Sequence, residues 1–386
     1  MRKISWLLGV VAVLSCARVM PPTGGERDRE PPRVVETDPV QNAEATQHAG
    51  TRRPVRIIFH ETLSERSPRE LVQVSPETGE VHAERDGREI RVRIDGGWHV
   101  GRVYRITVVP GVVDRLGNAR TTTYELVFST GGTILPNALG GIATDRITGR
   151  PAAGARVEAI SQADSTRYTS VTDSTGFFAL SSLPAGTYDT RIYSDQNRNK
   201  QLDPREARDV RQYRIGERDT LAVEFALLAP DTTPARLLRA DIRDSAQVRL
   251  GFDDYMEATA PLSGIQVMAW QLPDSTPLAT GRLLTARQFQ ALRDSARPAP
   301  PAAPAATDTA RLLPVNELTW VPASPLQPET RYRFQVTGYR NIHNLPNGGG
   351  SAVATSPRRV RTPPPLRPDS VAARDTTAVP RDTTRQ

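Results

Sequence analysis

Cysteine is almost absent: the 386 residues contain one, Cys16. A single thiol excludes a disulfide framework and a cysteine-built zinc cluster. Lysine is nearly missing too, occurring only at Lys3 and Lys200, so arginine supplies all but two of the 50 basic residues. The formal net charge is +7, yet the arginines are interleaved with acids, as in Glu65-Arg66 and Glu84-Arg85-Asp86. A basic run with interleaved aromatics is lacking, which argues against nucleic acid as a partner. Aromatics make up 5% of the chain, too few for one large core. A mean hydropathy of −0.45 excludes a polytopic membrane protein. The chain also lacks a Gly-x-Ser-x-Gly elbow, a phosphate-binding glycine loop and a dinucleotide fingerprint. What it has in quantity is punctuation. The 33 prolines and 27 glycines break long helices and favour short strands joined by turns. At about 100–200 residues per domain, the length allows two to four domains.

The N-terminus reads as an address. Arg2 and Lys3 precede an apolar stretch over residues 4–14. As a helix it would reach roughly 16 Å, about half of a hydrocarbon core, so it suits a signal-peptide h-region better than a membrane span. Cys16 follows directly, in Val13-Leu14-Ser15-Cys16. This resembles the lipobox of bacterial lipoproteins, although Leu14 stands where a smaller residue is usual. The resemblance implies cleavage after residue 15 and lipidation of Cys16, and Ala17 after the cysteine implies sorting to the outer membrane. Several acyl chains, at about 0.8 kcal/mol per buried CH₂, would make the protein's membrane partner a stable one. Residues 16–31 are polar and carry Pro21, Pro22, Gly24, Gly25 and Pro31, the composition of a flexible tether.

Beyond the tether, apolar residues alternate with polar ones in short runs. Val55-Arg56-Ile57-Ile58-Phe59, Ile90-Arg91-Val92-Arg93-Ile94, Val103-Tyr104-Arg105-Ile106-Thr107-Val108 and Tyr124-Glu125-Leu126-Val127-Phe128 have the period of half-buried strands. They predict an antiparallel sandwich over residues 32–131. With Thr37-Asp38-Pro39, Glu61-Thr62-Leu63, the turn Asp114-Arg115-Leu116-Gly117-Asn118 and the closing Phe128-Ser129-Thr130-Gly131, this segment resembles the bacterial Ig-like domain of S-layer proteins. Gly117-Asn118 suits a tight turn needing positive φ.

Residues 138–229 form a second unit, with Gly141-Ile142-Ala143-Thr144-Asp145, Thr148-Gly149-Arg150-Pro151, Thr172-Asp173-Ser174-Thr175-Gly176-Phe177-Phe178 and Leu183-Pro184-Ala185-Gly186-Thr187-Tyr188. These motifs resemble the carboxypeptidase regulatory-like domain, a small prealbumin-like β-sandwich. In its namesake enzymes that domain is an appendage, so the resemblance implies no peptidase activity. Residues 232–361 look like a divergent copy of the first unit: Val248-Arg249-Leu250-Gly251-Phe252 and Tyr332-Arg333-Phe334-Gln335-Val336 parallel its strands, but the closing turn and the final Phe-Ser-Thr-Gly are missing. Residues 285–295 predict a short helix with Phe289 and Leu292 on one side. The Pro/Ala-rich insert 297–310 and the tail 362–386 read as disordered. The expected fold class is all-β, tandem Ig-like and prealbumin-like sandwiches with flexible termini.

One loop has ligand spacing. In residues 195–206, Asp195, Asn197, Asn199, Gln201 (through its carbonyl), Asp203 and Glu206 fall at positions 1, 3, 5, 7, 9 and 12 of an EF-hand-type calcium loop. Lys200 occupies the glycine position, and Arg198 and Lys200 place positive charge beside the ion. Two readings stand: a calcium loop, or a solvated polar hairpin held without an ion. The histidines, His48, His60, His82, His99 and His343, are scattered. His60-Glu61-Thr62-Leu63-Ser64 opens like a zinc-protease motif but has no second histidine. Glu61, Asp95 and Asp253-Asp254 are carboxylates that pair only if the fold brings them together. Trp98, between Gly97 and Gly101, looks like an exposed aromatic at a strand edge, and Trp320 and Tyr332 are placed alike. They read either as a sugar-stacking platform or as sandwich core.

No catalytic residue is identified and no enzyme activity is expected. The composite reading is a lipid-anchored envelope protein displaying β-sandwich modules, with envelope polysaccharide or envelope proteins as partners. The alternative is a carbohydrate-binding accessory lipoprotein, calcium-dependent if the loop holds an ion.

Overall fold

The computed structural model describes residues 28–65, 69–295, 312–346 and 348–358. The signal segment 1–15, Cys16, the insert 297–310 and the tail 362–386 lie outside them. The described chain builds three antiparallel-rich β-sandwiches in sequence order, 47% strand and 5% helix overall.

The first sandwich has seven strands: β1 (Val34–Asp38), β2 (Val55–Phe59), β3 (Val72–Ser75), β4 (Val81–Asp86), β5 (Glu89–Ile94), β6 (Val103–Val108) and β7 (Tyr124–Ser129). They pair as β1-β2-β5-β4 and β3-β6-β7. The alternation in β5 does what its period requires. Ile90, Val92 and Ile94 are buried, while Arg91 and Arg93 stay at the surface. The turn after residue 113 closes around Asp114, whose Oδ1 accepts the Leu116 and Asn118 N–H groups at 2.8 Å. Gly117 supplies the positive φ, +94°; Asn118 instead donates its side-chain amide to Asp114 Oδ2 at 2.7 Å. Residues 28–31, expected to belong to the tether, are held against the first sandwich. The Asp28 carbonyl accepts from Asn118 Nδ2 and the Pro32 carbonyl from Arg120, so residues 28–32 are tied to the first sandwich.

The second sandwich has β8 (Ala138–Asp145), β9 (Arg156–Ser161), β10 (Arg167–Val171), β11 (Phe177–Ser181), β12 (Gly186–Tyr193), β13 (Arg208–Ile215) and β14 (Thr220–Leu227). Its sheets are β10-β9-β12-β13 and β11-β8-β14, with β14 parallel to β8. Gly141 lies on β8 where the backbones approach most closely. A Cβ there would stand 1.8 Å from the Val223 carbonyl oxygen.

The third sandwich has β15 (Leu237–Asp244), β16 (Gln247–Met256), β17 (Gln266–Gln271), β18 (Thr276–Pro277), β19 (Arg282–Thr285), α1 (Ala286–Ser295), β20 (Val315–Val321), β21 (Arg331–Thr337) and β22 (Ser351–Thr355). The sheets are β15-β16-β20-β19 and β18-β17-β21-β22. Apart from the short β18, this is the strand order of the first sandwich, so the two share a topology although their closing turns differ. The expected helix forms one residue later than its pattern, with Thr285 as its cap. Gln288 N–H donates to Thr285 Oγ1 at 3.2 Å and Thr285 N–H to Gln288 Oε1 at 2.9 Å, a reciprocal capping box.

Each sandwich has its own apolar core, and of the two readings of the aromatics core packing is the one that holds. Trp98, Trp320 and Tyr332 are each 1% exposed. Trp98 meets Tyr104 and Phe128 edge-on, at 5.0 and 5.3 Å between ring centroids. Its Nε1 donates to the Arg53 carbonyl at 2.8 Å. The flanking glycines that make Trp98 look like an edge residue only turn the chain; the ring goes inward because its area is worth more there and its N–H finds a partner. None of the three aromatics can stack on a sugar.

Candidate functional site

The first two sandwiches meet along the edges of β3 and β10. Thr169 N–H donates to Ser75 Oγ at 2.9 Å and Glu77 N–H to the Arg167 carbonyl at 2.9 Å. Charge reinforces the seam. Arg105, on β6 and 7% exposed, donates to the Ala179 carbonyl at 3.1 Å and to the Ser181 carbonyl at 2.8 Å, and also reaches Ser181 Oγ. Burial pulls its guanidinium pKa down, against the pull of Glu125. Arg102 reaches Asp164 at 2.7 Å. Arg156, on β9, bridges Glu77 of the first sandwich at 2.6 Å and Glu158 of its own at 2.8 Å.

Glu158 is the most enclosed of these groups, with no exposed surface. It accepts from Arg156 Nε at 2.8 Å, Arg191 Nε at 2.6 Å and Tyr193 Oη at 3.0 Å. Burial alone would raise its pKa, but the hydrogen bonds from Arg156 and Arg191 hold the carboxyl below the ordinary value.

Beside the seam the two sandwiches part to leave a cleft of about 670 Å³. Its floor is apolar, with Val72 and Val74 from one side and Val171 from the other. Glu70, Glu77 and Glu84 stand on the wall of the first sandwich, facing Arg156, Arg198 and Lys200 of the second. No Trp, Tyr or Phe lines it. Two of the acids are already held by arginine, Glu77 by Arg156 and Glu84 by Arg93 at 3.4 Å. The carboxylates named from sequence do not assemble into a catalytic pair here. Glu61 lies beside Asp114, Asp95 beside His82, Asp253 accepts Arg236 N–H, and Asp254 accepts Asn341 Nδ2. His60 caps the end of β2, not a helix, with its Nε2 3.4 Å from Glu61.

The loop between β12 and β13 overhangs the cleft through Asp195, Arg198 and Lys200. It is closed by its own side chains. Asp195 accepts Asn199 N–H at 3.1 Å and Lys200 N–H at 2.9 Å; Asn197 Oδ1 accepts Asn199 N–H at 3.0 Å; Asn199 Oδ1 accepts Gln201 N–H at 2.7 Å. Arg198 and Lys200 adopt φ of +59° and +60°. The turn an EF-hand glycine would make is therefore made by Lys200. Asp203 Oδ2 accepts both asparagine amides, from Asn197 at 2.7 Å and Asn199 at 3.1 Å. Glu206 is buried and clasps the two ends of the loop, accepting Gln196 N–H at 3.1 Å and Asp203 N–H at 3.0 Å. Asp195, Asn197, Asn199 and Asp203 are thus drawn together, the Gln201 side chain is exposed, and Glu206 faces inward. The donors are oxygens, as calcium requires. To offer theirs, Asn197 and Asn199 must turn their amides away from Asp203.

Two segments match family models: residues 28–130 match the Bacterial Ig-like domain and residues 138–227 the Carboxypeptidase regulatory-like domain. Both are non-catalytic domains. No curated protein matches the chain. Among solved structures, the TIE protein of Bacillus anthracis is 12% identical, with 83% of this chain and 55% of that one covered and a TM-score of 0.19. The N-terminal part of the bacterial S-layer protein SbsC is 12% identical, covering 43% of this chain and 41% of that one, TM-score 0.20. The major pilin subunit of Bacillus cereus, BcpA, is 12% identical over 51% of this chain and 70% of its own, TM-score 0.19. Scores this low say nothing about function. Among the described residues no helix is long and apolar enough to cross a membrane.

Proposed function

We propose that this chain is a non-catalytic envelope protein. It is anchored at the bacterial outer membrane by a lipidated Cys16 and holds β-sandwich modules away from the bilayer for structural or binding roles. The observation that carries the reading is the joined pair of modules, one matching a bacterial Ig-like domain and the next a carboxypeptidase regulatory-like domain. Buried arginines seal them edge to edge. The third sandwich, which repeats the topology of the first, is read as a divergent Ig-like domain. An envelope protein is the better partner than a polysaccharide, because Trp98, Trp320 and Tyr332 are core residues and the cleft offers opposed charges over an apolar floor. Calcium is the ion proposed for the loop over residues 195–206.

The test is co-sedimentation of the purified protein with cell-wall, polysaccharide and outer-membrane fractions, in calcium and in chelator. Retention on membranes that Cys16→Ser abolishes supports the anchor; a Cys16→Ser protein that stays bound refutes it. Release from a polysaccharide fraction by chelator would favour the carbohydrate-binding alternative over a protein partner.

A further inference from the structure

The hairpin of β4 and β5 carries a second group of ligand-type side chains, apart from the loop over the cleft. Glu80 stands just before β4, and His82 is two residues on, which places both on one face of the sheet. Asp95 follows β5 directly opposite, its N–H donating to the Glu80 carbonyl at 2.9 Å. One ligand atom from each of Glu80, His82 and Asp95 lies within 4.8 Å of the other two. His82 Nε2 is 3.1 Å from Asp95 Oδ1. The backbone beneath is held closely: a Cβ on Gly79 would fall 2.2 Å from the Asp95 carbonyl oxygen, and Gly96 and Gly97 turn the chain at φ of +83° and +87°.

In the same sandwich Asp38, Glu84, Asp86 and Glu89 each hold an arginine at 2.6 to 3.4 Å. Among the described residues no arginine pairs with Glu80 or Asp95. Asp95 alone pairs with the imidazole, at 3.1 Å, while a Glu80 carboxylate oxygen stands within 4.8 Å of the ligand atoms of both.

We infer that Glu80, His82 and Asp95 form a surface site for a divalent transition ion of the zinc class. An imidazole nitrogen with two carboxylate oxygens suits zinc, whereas calcium and magnesium take oxygen alone. Ligand atoms around tetrahedral zinc, bound at about 2.0–2.2 Å, stand roughly 3.4 Å apart. The observed spacing needs only a small closing movement of exposed side chains on a regular hairpin. Three protein ligands leave a fourth position for water or for a donor from a partner. His82 also lines the inter-module cleft, so the ion would sit beside the surface on which a partner docks.

The experiment is zinc titration of the purified chain by calorimetry, with cobalt(II) absorption as a second readout. The expected result is one site per chain and a visible cobalt band. His82→Ala should weaken zinc at least tenfold and remove the band, and Glu80→Gln and Asp95→Asn should each weaken zinc measurably. Asp195→Ala should leave zinc binding unchanged. All three triad residues are exposed, so an unchanged metal-free melting temperature establishes that the variants fold. Zinc binding that is absent, or equal in the native chain and His82→Ala, overturns the site.

Discussion

Glu158 shows how much one side chain can decide. It lies on β9 without solvent access, satisfied by Arg156, Arg191 and Tyr193. Removing one partner of such a group leaves the others buried and uncompensated. Glu158→Gln is therefore expected to cost about 3 kcal/mol at neutral pH, measured by denaturant unfolding. The pH dependence follows from the lowered pKa. A carboxyl with a depressed folded value contributes stability that is present above its unfolded value near 4.5 and is lost as pH falls through the folded value. The native second sandwich should weaken below about pH 4.5, and the glutamine variant should lose that part of the acid dependence. Equal acid slopes in the two proteins would remove Glu158 from the account. Trp98 teaches the complementary lesson. Its neighbours Gly97 and Gly101 suggest an exposed edge, yet its indole partner is the Arg53 carbonyl, 45 positions earlier.

Among the elements, strands were the most legible. Residues 90–94 alternate in burial as their period-two pattern predicts, because alternation leaves one face apolar and a sheet is the way to bury it; Val55–Phe59 and Val103–Val108 also form strands but each buries three consecutive residues. The helix Ala286–Ser295 was legible from Phe289 and Leu292 falling on one side; its Thr285 cap was not. The loop over residues 195–206 was legible only as a spacing. Its positive φ at Lys200 and its inward-turned Glu206 depend on backbone N–H groups that no spacing names. Calcium is expected to raise the melting temperature of the second sandwich in the full chain, and Asp195→Ala to remove that rise, by calorimetry with and without chelator. Absence of a shift at millimolar calcium leaves the loop a hairpin closed by its own hydrogen bonds.

Across the whole molecule, the seam between the first two sandwiches decides how the modules hold together. Arg105 reaches two carbonyls of the neighbouring module. Arg156 spans both modules. The second and third sandwiches meet through the Arg146–Glu257 ion pair and the packing of Leu313 on Gly149. The first two modules should therefore unfold as one unit. Arg105→Ala, which leaves the Ala179 and Ser181 carbonyls without their charged donor, should cost about 2 kcal/mol and split that unit into two calorimetric transitions. A single transition at an unchanged temperature would mean that Arg105 is not what couples them.

The sequence by itself determined that this is a chain of β-sandwiches, where two of its domains lie, and that no familiar catalytic motif is present. Alternation and turn glycines act over a few positions, and those are readable without a fold. Only the tertiary structure decided which aromatics are core, that Glu77 and Arg156 meet across 79 positions, and that Glu80, His82 and Asp95 share one face. Those facts depend on strand register and on how edges of separate modules abut, and register is set by many weak contacts summed over the whole sandwich rather than by any local pattern.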